Sequence, residues 1–177
     1  VARWQYLIGK WGGCVLLLFF YTFLLSLIAY ASISIWFISV YDADPKELME
    51  IFTPYMAQTV VLWFKFILIS SLVVWVCSIG TSMIFTVLVS LFLIIICQFQ
   101  FAAESSYANA PFFPYGWLGI VINSIFPDFQ SLDIPYVGTD AVENWQTHFF
   151  SSLGYAVIYS IGYILAAIFI FRRKELI

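Results

Sequence analysis

Few residues of this chain can do chemistry, and they are scattered. Ten acids, seven bases, one histidine and three cysteines are spread over 177 residues. Glu104, Asp128 and Asp133 are of the type that pairs for proton transfer or holds a cation, but their spacings match no metal-binding pattern. They stand among prolines, which suits solvated loop acids better. His148 has no cysteine or second histidine near it and opens an apolar segment, the place of an interfacial polar residue. Cys14, Cys77 and Cys97 lie in or beside apolar runs, where a thiol packs as a small hydrophobe, and their spacing suggests neither a disulfide framework nor a metal site. The sequence contains no phosphate-binding loop and no nucleophile with a base near it. Any energy this protein uses must therefore come from elsewhere. Lys65 stands apart, as the one charge inside an otherwise uncharged run, where charges are costly and often functional. It can snorkel to the interface from the outer third of its helix, or it can meet a substrate or partner.

The elements that must position these residues follow from composition. Hydrophobic residues make up 63% of the chain, charged residues 10%, and the mean hydropathy is +0.98. A soluble domain carries roughly 25% charged residues. So few charges cannot cover a surface facing water, and lipid must replace water as the solvent for most of it. The expected fold class is all-α: a polytopic integral membrane protein, residues 1–177 forming one transmembrane domain with four transmembrane helices and a short re-entrant or interfacial helix. The net charge of −3 rests on too few groups to point to a partner, and no basic patch suits nucleic acid.

The first apolar run covers residues 11–40 without a charge. At about 1.5 Å per residue, roughly 20 helical residues cross the hydrocarbon, so this run spans with turns to spare. Trp4, Tyr6 and Trp11 at one end, with Trp36 and Tyr41 at the other, fit the two interfacial aromatic belts. Asp44 then suits an N-cap, Pro45 the first helical position and Glu47 the capping-box partner, so a second helix starts near Pro45. Pro54 predicts a kink ahead of the apolar stretch 59–76. Residues 77–82, with Ser78, Gly80 and Ser82, interrupt the hydrophobicity, and a tight turn there gives a third span over 83–99. One long tilted helix is the competing arrangement. Residues 100–147 form an external loop broken by Pro111, Pro114, Pro127 and Pro135. Within it the stretch 115–126 is too short to cross and suits a re-entrant or interfacial helix. The last span covers 148–171 and stops at Arg172, Arg173 and Lys174.

Four crossings return the chain to the side on which it began. That side carries Arg3, Lys10, Arg172, Arg173 and Lys174, while the opposite loops carry Lys46 and nearly all the acids. The positive-inside rule then makes both ends cytoplasmic. On the last span Ser152, Ala156 and Ser160 recur every four residues, with Gly154 and Gly162 close by. Small residues at this spacing let helix backbones approach, so they mark a packing face, within the bundle or between protomers.

Several short stretches add a further layer. Arg3, Tyr6, Leu7, Gly9 and Lys10 follow an R-x-x-Y-L-x-G-K pattern that leads into the long first span. Ser70, Ser71, Leu72 and Ser78 lie on a serine-containing span before a tight turn. Ile125, Phe126, Pro127, Asp128 and Phe129 form a proline-bearing stretch before the last span, which closes on Phe171, Arg173, Lys174, Glu175 and Leu176 in an F-x-R-K-E-L pattern. Over nearly the whole chain this order resembles the membrane subunit of type-2 ABC transporters, permeases that work with a separate ATPase, and most closely the branch associated with copper-enzyme maturation and gliding machinery. Such permeases usually have six spans, with a coupling element between the second and third. On that resemblance the chain, which starts at Val1 without a methionine, begins at the coupling element of a longer protein and lacks its first two spans.

The resemblance implies a mechanism. Two protomers, identical or paired with a related chain, would enclose a translocation path across the bilayer, in a bacterial inner membrane. Cytoplasmic ATPase subunits would hold the ATP and Mg, leaving this chain with no cofactor and no enzymatic activity of its own. Arg3, Trp4, Tyr6 and Lys10 would contact the ATPase, and nucleotide-driven closure would tip the spans between inward-open and outward-open states. The stretch 115–126 would form an outer gate, with Trp117, Asn123 and Pro127 as its candidate residues. The competing reading of Arg3 to Lys10 is a headgroup anchor of basic and aromatic side chains. The competing reading of the whole chain is a non-transporting anchor or assembly subunit of a larger complex.

Overall fold

The computed structural model describes residues 3–41, 45–80, 82–108, 126–129, 132 and 145–175. Four helices hold nearly all of them: α1 (Arg3–Tyr41), α2 (Pro45–Ile79), α3 (Met83–Ala108) and α4 (Trp145–Glu175). The stretches Trp4–Val40, Phe52–Ile79 and Trp145–Arg173 are each long and apolar enough to cross a membrane. The fourth apolar stretch, Met83–Gln98, is shorter. At about 1.5 Å per residue it reaches roughly 24 Å, less than the roughly 30 Å of hydrocarbon. The backbone of α3 continues as helix to Ala108, past the expected end at residue 99.

α1 runs unbroken for 39 residues from Arg3, so residues 3–10 of the expected coupling segment continue the helix of the first span. Such a helix is about 58 Å long against a total bilayer thickness of about 45 Å. Its first two turns are the part with charge, so they are the part suited to extend past the headgroups. α2 is one helix of 35 residues with Pro54, the expected kink position, inside it. The proline removes one backbone donor from a helix that neighbouring helices otherwise hold along its length.

α2 is the centre of the bundle. It packs most extensively on α4, then on α1, then on α3, while α1 barely touches α4. Contacts along α1 and α2 run in opposite senses. Trp11 donates its indole N–H to Ser70 Oγ at 3.0 Å, and Trp63 donates to the Val15 carbonyl at 3.2 Å. Farther along α1, Tyr55 donates to the Ser26 carbonyl and Thr59 to Ser26 Oγ, both at 3.0 Å. At the far end the Tyr30 ring lies 5.0 Å from Phe52. Each step up α1 is a step down α2, so the pair is antiparallel, and the start of α1 lies beside the end of α2.

α2 turns back into α3 at Gly80. The Gly80 N–H bonds the Val76 carbonyl at 2.9 Å, and both the Thr86 N–H and its hydroxyl bond the Ser82 carbonyl, at 3.0 and 2.9 Å. A Cβ at Gly80 would collide with Thr86 Oγ1, so close approach of the two helices demands glycine here. The helix therefore breaks at Gly80, inside the expected 77–82, with Cys77, Ser78 and Ile79 still part of α2, and a single continuous helix is not formed.

The core lies between α2 and α4, where Val61, Leu68 and Leu72 meet Ala156 and Tyr163, with Cys97 of α3 closing one side. On α4 the buried positions are Ser152, Ala156, Ser160, Tyr163 and Ala167. Steps of three and four place them on one helical face. Outward-facing Leu, Ile and Phe on α1, α3 and α4 are left to lipid.

Candidate functional site

One end of the bundle gathers the basic and aromatic residues. Trp4 is half-buried, and the Arg172 guanidinium of α4 lies 5.9 Å from its ring centre. Lys10 Nζ lies 4.9 Å over the Tyr6 ring, one turn away on the same helix, and Tyr6 is 63% exposed. Arg173 lies 5.3 Å over Phe169. A cation over an aromatic face is held by the ring quadrupole. The Arg172–Trp4 contact brings the start of α1 and the end of α4 together, although they are more than 160 residues apart in sequence. Two faces of α1 share the expected coupling residues: Trp4 turns toward α4, whereas Tyr6 and Lys10 turn outward. Arg3 begins α1, and its side chain lies outside the described residues.

A second feature lies deep in the bundle. Residues 126–129 and Leu132 are not helical, yet Pro127, Phe129 and Leu132 are buried, the last two at 1% exposure. The Asp128 N–H donates to Tyr155 Oη at 3.0 Å, and the Phe129 N–H to the Cys97 carbonyl at 3.4 Å. Irregular backbone at membrane depth persists only when protein surrounds it and its polar groups are paired. The N–H groups of Asp128 and Phe129 are both paired, and Phe129 is buried while Asp128 is half-buried. Of the three expected gate residues, Pro127 belongs to this buried wedge, while Trp117, Asn123 and residues 115–125 of the expected re-entrant helix lie outside the described residues.

Ser152, Ala156 and Ser160, expected as a packing face, are 5%, 0% and 5% exposed and turn toward the core. Around the helix from them, Tyr155, Tyr159 and Tyr163 form a stack with ring centres 4.6 and 6.3 Å apart, and Trp75 of α2 continues it at 5.5 Å. Trp75, Tyr159, Tyr163, Ile158, Gly162 and Ala166 line a groove of about 300 Å³. Neither this stack nor the hydrogen-bonded seam between α1 and α2 follows from hydropathy alone. The signal available was spacing: tyrosines every four residues on α4, and Tyr55, Thr59 and Trp63 every four on α2.

The serines of α2 have a structural role. Ser70, Ser71 and Ser78 donate to the carbonyls of Ile67, Leu68 and Trp75, three residues back on their own helix. Such bonds satisfy hydroxyls that lipid cannot. Cys97 is buried and Cys14 and Cys77 are exposed on their helices, all as free thiols. Among the described residues no three His, Cys, Asp or Glu side chains gather as a metal site. No protein-family model, curated protein or solved structure matches the chain.

Proposed function

We propose that the chain is the membrane-spanning permease subunit of an ATP-driven ABC exporter, forming part of a translocation path and coupling to a separate cytoplasmic ATPase. The observation that carries this reading is the joined basic and aromatic surface of Trp4, Tyr6, Lys10, Arg172 and Arg173 at one end of the bundle. It is continuous with α1, the longest helix, so a push on it would move a rigid rod that reaches the other side of the membrane. In this reading both ends of the chain are cytoplasmic, and four helices cross a bacterial inner membrane.

Helix direction supports four crossings. The start of α1 lies beside the end of α2, and Arg172 near the end of α4 stacks on Trp4. The helices α2 and α4 therefore run parallel, and the chain between them must travel from one end of the bundle to the other. α3, at 26 residues and about 39 Å, is the element that makes this return. A second protomer, identical or related, would pack against the lipid-facing sides and complete the path.

The test is purification of the full-length protein from its native membrane. An ATPase that co-purifies with the parent and is lost from R3E/K10E supports the reading. Stable isolation of the parent with no nucleotide-binding partner would instead favour an anchoring or assembly subunit.

A further inference from the structure

Gly162 stands in the interior of α4 and forms part of the groove beside Trp75. Glycine in a helix interior costs stability relative to alanine, and within membranes it usually allows a second helix to come close. Here no helix does so: a Cβ at Gly162 would meet nothing within 4 Å among the described residues. The glycine instead widens the groove. Trp75, Tyr159 and Tyr163 form its aromatic wall, and its lining is almost wholly apolar. Its volume of about 300 Å³ is at the lower end of ligand-sized sites. Tyr163 at the back is 8% exposed and Ile158 at the lip is 71% exposed, so the groove opens toward lipid.

The same face of α4 ends in a cation. Arg173 lies seven residues beyond Ala166, two helical turns, which returns it to the groove's side of the helix. It is exposed, and it closes the stretch of α4 suited to cross a membrane, which places its guanidinium at headgroup level. From Ile158 to Arg173 the helix rises about 22 Å. One leaflet with its headgroups is about the same thickness, half of the bilayer's roughly 45 Å. An apolar slot and a cation one leaflet-depth apart match the two parts of a phospholipid, its acyl chain and its phosphate. A second copy of the chain fits less well. Two copies inserted the same way share an axis along the membrane normal, so the second would bring its own cation to the depth of Arg173.

We propose that this face of α4 is a phospholipid site, with an acyl chain in the groove against Trp75, Tyr159 and Tyr163 and the phosphate on Arg173. Such a lipid would be held whether or not the chain is a permease.

The full-length protein, stripped of lipid in detergent, is titrated with phosphatidylglycerol or with diacylglycerol of the same acyl chains, and bound lipid is counted by native mass spectrometry. The parent should bind one phosphatidylglycerol about tenfold more tightly than diacylglycerol. R173Q should lose that preference and R173K should keep part of it. G162L should fill the groove and weaken both lipids about tenfold, with a Tm no lower than the parent's, because the added side chain enters open space and leucine favours the helix. I161F adds bulk outside the groove and should bind as the parent does. Equal binding of the two lipids by the parent, an unchanged preference in R173Q, or parental affinity in G162L would each overturn the site. So would a lower Tm in G162L, equal weakening in I161F, or a lipid-free parent dimer that G162L splits into monomers.

Discussion

Ser26 of α1 accepts hydrogen bonds from both Tyr55 and Thr59, through its carbonyl and its hydroxyl, so one small residue ties two turns of α2. Interhelical hydrogen bonds within membranes average about 0.6 kcal/mol, because the separated helices find other partners. S26A keeps the carbonyl contact and loses only the hydroxyl one. It should therefore destabilise the bundle by about 0.6 kcal/mol, read from denaturation in mixed micelles. Ser160 predicts the opposite sign. Its Oγ is buried and has no hydrogen-bond partner among the described residues. S160A removes an unsatisfied polar atom, so the same measurement should show unchanged stability or a gain of up to about 1 kcal/mol. Ala156, one turn earlier on the same face, is fully buried in the core with Leu68 and Leu72 of α2. A156L should cost about 1 to 3 kcal/mol by overpacking, which S160A does not.

At the scale of elements, the Gly80 turn makes the sharpest prediction. An added Cβ collides with the Thr86 hydroxyl, so G80A should cost about 1 to 3 kcal/mol, and G80A/T86A should cost less than G80A alone. Thermal unfolding of the single and double variants measures that coupling. This turn was legible in the sequence because Ser78, Gly80 and Ser82 break an otherwise apolar run. The start of α2 was legible for the same kind of reason, since Pro45 suits the first helical position. Which side of each helix packs was not legible. Helices apolar all round carry no polar stripe to separate the lipid side from the partner side. Ser152, Ala156 and Ser160 were the exception, because residue size rather than polarity marks a membrane packing face. The basic residues near both ends were visible as charge, but the stacking of Arg172 on Trp4 depends on which faces of α1 and α4 meet, which only the assembled bundle defines.

For the whole molecule, charge and helix direction bear on one arrangement. Cations cluster where α1 begins and α4 ends, and Lys46 lies at the opposite end of the α1–α2 pair, at the start of α2. The account stands on α3 returning the chain across the bilayer, so that both basic segments share the cytoplasm. The most direct measurement is site-specific labelling in sealed cells with a membrane-impermeant maleimide, comparing K46C with R173C in a background lacking the native cysteines. The account predicts that K46C is labelled from outside, while R173C stays protected until the membrane is permeabilised. Labelling of both positions in sealed cells would mean an odd number of crossings and would contradict it.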